Sequence, residues 1–409
     1  MNHTDPEEDG TLSYVLVTPY TVAKSRTGGV IARLLSRLDL ELAGAQMIAP
    51  DGDFVKRYAR ALREENPTND ITLLADYAER NLPPSGGRKH RSLLLLFRGE
   101  NPCEKLSAVC GHLYPEHREI EAVTGESIRD TYADLIMSEE EPGKVSYFEP
   151  AVMTPRYQKW ADRDLALFAD FLRDQENIIE NMVYPDPSKI EQTLVIIKPD
   201  NWQYASSKPG TIIDMFSRTG LRIVGIKVHR FSLAEALEFY GPVEAALKEK
   251  LAPVFGKKAR EILEGEFGLP LGNGIEQSLT DCFGTEYARD QFFRIIAFMS
   301  GKRPDRCSPE DLDKPGAVKS MILVYEGEGA VKKIRDVLGP TDPLKAPGGT
   351  VRREFGSNVM INTAHASDSR ESFERERRIV RTGENSLTSI VRGYLERLPG
   401  NPPPPPGFR

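Results

Sequence analysis

The residues best suited to chemistry lie between Lys198 and Glu376. His365 ends an apolar run, NVMINTA, and precedes Ala-Ser-Asp-Ser, a capping sequence that opens the helix SRESFERERRIV. A histidine at the mouth of a sheet beside a helix N-terminus sits where backbone N–H groups favour phosphate. Lys198, Arg335, Thr341, Arg352 and Asn362 fall at strand ends, on a helix or in loops that one small domain can bring together. Two arginines, a lysine, a threonine and an asparagine make a polyphosphate-binding set, since arginine offers a bidentate fork to phosphate oxygens and lysine a point charge. No P-loop is present. EGEG (326–329) and GLPLGNG (268–274) complete neither G-x-x-x-x-G-K-[ST] nor a strand-led G-x-G-x-x-G, and both read as turns. His112 and His117 lack the further ligands of a metal set and read as surface histidines.

The elements that position these residues repeat. YVLVTPYTVAKSRTGGVIARLLSRLDLELAGAQM (14–47) aligns with LVIIKPDNWQYASSKPGTIIDMFSRTGLRIVGIKV (194–228) at a constant offset through Gly29/Gly210, Ser36/Ser217 and Gly44/Gly225. FRGENPCEKLSAVCG (97–111) then faces YEGEGAVKKIRDVLG (325–339). Such self-similarity indicates a tandem duplication. In the second copy, Thr193 to Ile197 reads as a buried strand and a helix opens at Gly210. Residues 221–231 and 321–327 return as strands, and Ala330 to Leu338 forms an amphipathic helix ended by Gly339. VRREF and NVMINTAH read as closing extended segments. This is a split βαβ pattern, so the fold class is α+β. It comprises two ferredoxin-like (βαββαβ) domains with antiparallel sheets and helices, plus a helical insertion in the second.

The second copy resembles a nucleoside diphosphate kinase. TLVIIKPD, GTIIDMFSRTGLRIVGIKV, RDVLGPTDP, GTVRREF and NTAHASDS carry the match, which runs without a gap from Arg335 to Glu376. The resemblance implies that His365 takes the γ-phosphoryl of a nucleoside triphosphate as a phosphohistidine and passes it to a diphosphate. It implies that Glu376 holds the reactive tautomer of His365 and that Ser367 positions the Glu376 carboxylate. Lys198 and Tyr240 would contact the transferred group, while Arg335, Thr341 and Arg352 would bind phosphates. Asn362 would reach the ribose and phosphate side, and Phe292, or Phe293 one residue on, would stack on the base. Mg2+ is the implied cofactor and arrives with the nucleotide, because the ion prefers phosphate oxygens to a protein cage. The implied partners are nucleoside tri- and diphosphates, and the implied assembly is a homo-oligomer or an internal pseudo-dimer.

The first copy departs from this pattern. Thr18 stands opposite Lys198, Ser107 opposite Arg335 and Leu113 opposite Thr341. Aligning KVSYFEPA with NVMINTAH puts Phe148 opposite Asn362 and Ala151 opposite His365, and Arg129 alone is retained, opposite Arg352. The expected organisation is a degenerate domain over 11–154, a helical linker over 155–190 and a catalytic domain over 191–381. Two or more helices would fill an insertion at 241–291, expected as a surface addition rather than a lid, and 302–318 would form an exposed loop. A flexible proline-rich tail would occupy 382–409. The alternative function is a nucleotide-binding regulatory or scaffold protein with weak or no turnover.

Composition bounds the remaining classes. The 409 residues carry 54 Lys+Arg against 61 Asp+Glu, a net charge of −7, which argues against a nucleic-acid coat. No apolar run approaches the ~18 residues of a membrane span. The polar start MNHTDPEEDGT is unlike a signal peptide, and four cysteines without C-x-x-C argue against a disulfide framework. A cytoplasmic enzyme is expected.

Overall fold

The computed structural model describes residues 10–65, 69–114, 125–141, 144–180 and 182–399. His117 and the proline run 402–406 lie outside the described residues. In the first half, the chain runs through β1 (Thr11–Val17), α1 (Pro19–Ala23), α2 (Thr27–Arg37), β2 (Glu41–Ile48), α3 (Gly52–Glu65) and α4 (Asn69–Asn81). It continues through β3 (Ser92–Gly99), α5 (Pro102–Cys110), α6 (Ile128–Tyr132), β4 (Asp134–Met137), β5 (Val145–Glu149), β6 (Val152–Met153) and α7 (Gln158–Leu172). The second half comprises β7 (Ile190–Ile197), α8 (Lys208–Ser217), β8 (Arg222–His229), α9 (Leu233–Phe267), α10 (Asn273–Leu279) and α11 (Thr285–Ser300). It closes with β9 (Ser320–Glu328), α12 (Ala330–Leu338), α13 (Val351–Phe355), β10 (Ala364–Ala366), α14 (Arg370–Ile379) and α15 (Leu387–Glu396).

Two four-stranded sheets have the orders β2-β3-β1-β6 and β8-β9-β7-β10. Numbered within each half, both read 2-3-1-4, the ferredoxin-like order, so the fold class is as the sequence implies. Small details repeat as well. Gly99 and Gly327 lie at or next to the ends of equivalent strands at φ +153° and +155°, where a Cβ would strike Leu40 and Leu221 respectively. Both central strands are buried on two faces, which explains their unbroken apolar runs. In β1, Val15 and Val17 join one core while Leu12, Tyr14 and Leu16 join another, built with α3, α4 and α7.

The first of these cores is common to both halves. Val30, Ile31 and Leu34 of α2 lie in one cluster with Ile212, Ile213 and Phe216 of α8. The two helices meet backbone to backbone: a Cβ at Gly28 would collide with Gly210 and Asp214, and one at Gly210 with Gly28 and Ala32. Only glycine permits so close an approach. The chain accordingly divides as residues 1–228, 321–373 and 381–409 in one unit and 229–320 with 374–380 in a second. Both sheets belong to the first unit, which differs from the expected boundary between two separate domains. The shared α2–α8 core is the reason.

The second unit carries α9, α10 and α11, so two or more helices fill the insertion as expected. One helix, α9, runs for 35 residues through Tyr240, Pro242 and Pro253. A capping box starts it, with Ser232 accepting from the Glu235 amide, and Gly268 ends it in the left-handed conformation. Each proline removes one rung, yet packing within the unit supports the helix on both sides of the gaps. A Cβ at Gly256 would strike Thr280, and one at Gly284 the backbone of Ala252.

Four expectations are corrected. VRREF is the helix α13, held by Arg352, whose fork is bonded to two backbone carbonyls. NVMINTAH contributes only Ala364–Ala366 as strand, because Asn358 Oδ1 accepts the amides of Met360 and Ile361 and turns the chain. The tail contains α15, which buries Leu387, Val391 and Tyr394. Its 3.6-residue apolar period docks on α7, where the Tyr394 hydroxyl donates to Asp162 at 2.7 Å. The linker helix spans only Gln158–Leu172 of the expected 155–190.

Candidate active site

Lys198 follows the last residue of β7, where Pro199 cannot continue the ladder. Its amide donates to Thr363 O at 3.0 Å. The Asn201 side chain fastens the same two segments, donating to Lys198 O at 2.9 Å and Thr363 O at 2.8 Å. Thr363 sits at φ +74°, a conformation that costs a β-branched residue energy and needs support from its surroundings. That kink delivers Asn362, 2% exposed, to Lys198: Lys198 Nζ donates to Asn362 Oδ1 at 2.7 Å. The Asn362 amide nitrogen in turn donates to Thr341 O at 3.2 Å and Val359 O at 2.8 Å.

Arg352 closes the other side. Its two terminal nitrogens donate to Gly339 O and Ala364 O, both at 3.0 Å. Burial, and after it the Arg352 charge, push the Lys198 ammonium down to about 8. An anion placed there would relieve both effects. Arg335 projects exposed from the last turn of α12, and its carbonyl caps Gly339 N. Thr341 is exposed as well.

His365 is half-buried at the centre of β10, paired with Ile196. Ala364 and Ala366 face the common core, so His365 points to the opposite face. The Asp368 carboxyl is held below its usual range, first by the Ser372 hydroxyl and also by the charges of Arg335 and His365. Asp368 therefore reports that Arg335 and His365 share one neighbourhood. Ser367 is fully buried, its amide donating to Leu194 O at 3.1 Å.

The structure thus brings Lys198, Arg335, Thr341, Arg352, Asn362, His365 and Ser367 to the β7–β10 side of the second sheet. Tyr240, Phe292 and Glu376 belong to the second unit. Within it, Tyr240 is 7% exposed with its ring 5.0 Å from Phe239, and Glu376 is buried with Arg375 Nη2 at 3.7 Å. Phe292 is only 2% exposed, whereas Phe293 is half-buried with the Arg303 guanidinium 5.8 Å from its centroid. The sequence reading missed Asn201 and Asp368; the signal for Asn201 was its place directly after Lys-Pro-Asp.

The model of the family described as nucleoside diphosphate kinase matches residues 191–263 and 314–385. A nucleoside diphosphate kinase of Bdellovibrio bacteriovorus is 32% identical over 187 residues, covering 46% of this chain and 89% of that protein. One from Anaeromyxobacter sp. strain Fw109-5 is 31% identical over 186 residues, covering 46% of this chain and 86% of that protein. The chain belongs to the nucleoside diphosphate kinase family. A solved NDP kinase from Pyrobaculum aerophilum is 28% identical over 46% of this chain and 94% of that one, with a TM-score of 0.32; the fold assignment rests on the strand order instead. Every proposed site residue except Phe292 and Phe293 lies within the matched segments of the kinase family.

Against this kinase pattern, the first copy keeps the frame but not the side chains. Arg129 donates to Gly111 O and, at 2.9 Å, to Val152 O, the same two positions that Arg352 serves. Thr18 N donates to Ala151 O at 3.1 Å, as Lys198 N does to Thr363 O, and Ala151 is left-handed at φ +60°. Ala151 is therefore the counterpart of Thr363, not of His365. Leu16 pairs with Met153 as Ile196 pairs with His365, so Met153 occupies the histidine position. Likewise Pro150, not Phe148, precedes the kink where Asn362 does. The β4–β5 hairpin lengthens the first copy here, and an ungapped alignment slips by two residues across it. Opposite the Lys198–Asn362 pair, Thr18 Oγ1 donates to the Glu149 carboxylate at 2.7 Å and Tyr77 donates at 2.6 Å.

Proposed function

We propose that this protein is a phosphotransferase that exchanges the γ-phosphoryl group between nucleoside triphosphates and diphosphates through His365, with only the second copy active. The observation that supports this reading is the joined cationic frame beside β10: Lys198 bonded to Asn362, and Arg352 bridging Gly339 and Ala364 around the His365 strand. In the first half-reaction an imidazole nitrogen of His365 forms the N–P bond while the bond from the γ-phosphorus to the β,γ-bridging oxygen breaks and the diphosphate leaves. In the second, a terminal oxygen of the acceptor's β-phosphate forms a P–O bond as N–P breaks, which restores the imidazole. Splitting one transfer into two suits an imidazole nucleophile.

Charge stabilisation and positioning supply the catalysis. Lys198 and Arg352 face the phosphates, Arg335 and Thr341 extend the site outward, and Asn362 holds Lys198 in place. The family resemblance is what supports giving Glu376, with Ser367, the imidazole tautomer and Tyr240 the transferred group. The same resemblance supports base stacking by Phe292 or Phe293, and of the two rings Phe293 is the more exposed. Magnesium enters as part of the nucleotide substrate, on its phosphate oxygens. The first copy completes an internal pseudo-dimer through α2 and α8.

The test is phosphate exchange between ATP and dTDP, wild type beside His365→Ala. Turnover that disappears in the variant is expected. A folded wild-type protein that binds nucleotide without exchanging phosphate would overturn the proposal in favour of a regulatory protein.

A further inference from the structure

A cavity of about 470 Å³ lies in the first unit between the two copies, lined by the start of α2, residues 88–91, residues 182–183, α8, the start of β8 and Tyr325. None of its lining residues belongs to the transfer site. Five of them are basic, namely Arg88, Lys89, His90, Arg91 and Arg222, and none is a carboxylate.

Two features set this cavity apart from a solvated basic crevice. Arg91 is largely buried, and desolvation followed by the Arg222 charge pushes its guanidinium down to about 10. Its hydrogen bond to Ile223 O at 2.5 Å leaves most of a five-donor fork without a described acceptor. Arg222 is fixed beside it, stacked 4.3 Å from the Tyr184 centroid and bonded to Val183 O at 2.9 Å. The nearby Glu326 carboxylate sets one negative charge against two positive ones, and its two oxygens already accept from Tyr184 at 2.8 Å and Gln192 at 2.7 Å. Holding the desolvated Arg91 guanidinium beside a second positive charge is costly unless an anion joins them. The second feature is Tyr325, 1% exposed, whose hydroxyl has no hydrogen-bond partner among the described residues.

We propose that this cavity is a binding site for a small phosphorylated anion with an apolar body. The phosphate meets Arg91, Arg222 and Arg88, with the N-terminus of α2 adding its dipole. The apolar body lies against Met182, Val22 and Ile213, and the Tyr325 hydroxyl gains an acceptor. The volume is in the range of small-molecule sites, roughly 300–1,000 Å³.

The test uses the full chain labelled with 13C-methyl methionine, where Met182 reports this cavity and its resonance is assigned by Met182→Leu. Phenyl phosphate is the probe, and benzyl alcohol is the neutral control. The expected result is a saturable shift of the Met182 methyl with phenyl phosphate alone, weakened about tenfold or more by Arg88→Gln/Arg222→Gln. A Met182 signal that stays still would overturn the proposal. So would one that moves equally with benzyl alcohol, a comparison that needs no variant, or one unaffected by the double substitution in a chain of unchanged melting temperature. The readout is independent of phosphoryl transfer, so its failure leaves the transfer proposal standing.

Discussion

The same corner of the same sheet has been built twice in this chain, once around His365 and once around Met153. The arginine fork, the left-handed residue before the last strand and the capping glycine are common to both. What differs is the filling. In one copy a lysine bonded to an asparagine holds a buried positive charge. In the other, a threonine and a tyrosine donate to the chain's own carboxylate, Glu149, which burial holds above the usual carboxylate range. The comparison sets scaffold beside proposed chemistry: what both copies share holds the strand ends, and what the first copy lacks is what the proposal assigns to phosphate.

The sharpest way to break this comparison is at the paired strand positions. His365→Ala should lower exchange by roughly a thousandfold or more, while Met153→Ala should leave kcat/KM within about twofold in the folded protein. Steady-state exchange assays on both variants decide the matter.

The arginines come next, because they separate the two roles of one residue type. Arg129→Lys and Arg352→Lys each lose a planar fork to two carbonyls and should each cost about 1–3 kcal/mol of stability in denaturant melts. Only Arg352→Lys should also lower kcat/KM, by about ten- to a hundredfold. Equal kinetic effects would dissolve the distinction.

Glu149→Ala strips an acceptor from Thr18, Tyr77 and the Ala151 amide. It should cost about 2–3 kcal/mol in urea unfolding, with exchange by the folded fraction unchanged.

The smallest effect concerns pH. Lys198 titrates near 8 in the free protein, because burial disfavours its charge. A bound triphosphate favours the charged form and raises that value, so binding takes up a proton above pH 8. Nucleotide affinity should then fall about tenfold per pH unit above 8 until the bound-state value is reached, and Lys198→Met should flatten this limb. Calorimetric titrations at several pH values measure it.

Much of this was legible in the sequence, for identifiable reasons. Strand runs such as SLLLLF and TLVII announce themselves because both faces are buried, and the H-x-S-D-S element fixes the histidine without any structure. That α9 continues through Pro242 and Pro253 depends on the packing that supports it, which local propensity does not encode. The tail helix α15 was hidden by its neighbouring prolines although Leu387, Val391 and Tyr394 keep helical spacing. The two-residue slip that put Ala151 opposite His365 came from a hairpin whose length no local pattern reveals. The joined core at Gly28 and Gly210 is a matter of close approach, which spacing alone does not encode.

The central claim is that one copy transfers phosphate and the other cannot. The most direct measurement is the stoichiometry and site of phosphoryl label after incubation with γ-labelled ATP. The account predicts one label per chain, on His365, discharged by any added nucleoside diphosphate and absent from His365→Ala. Label on the first copy, or label that persists in His365→Ala, would contradict it.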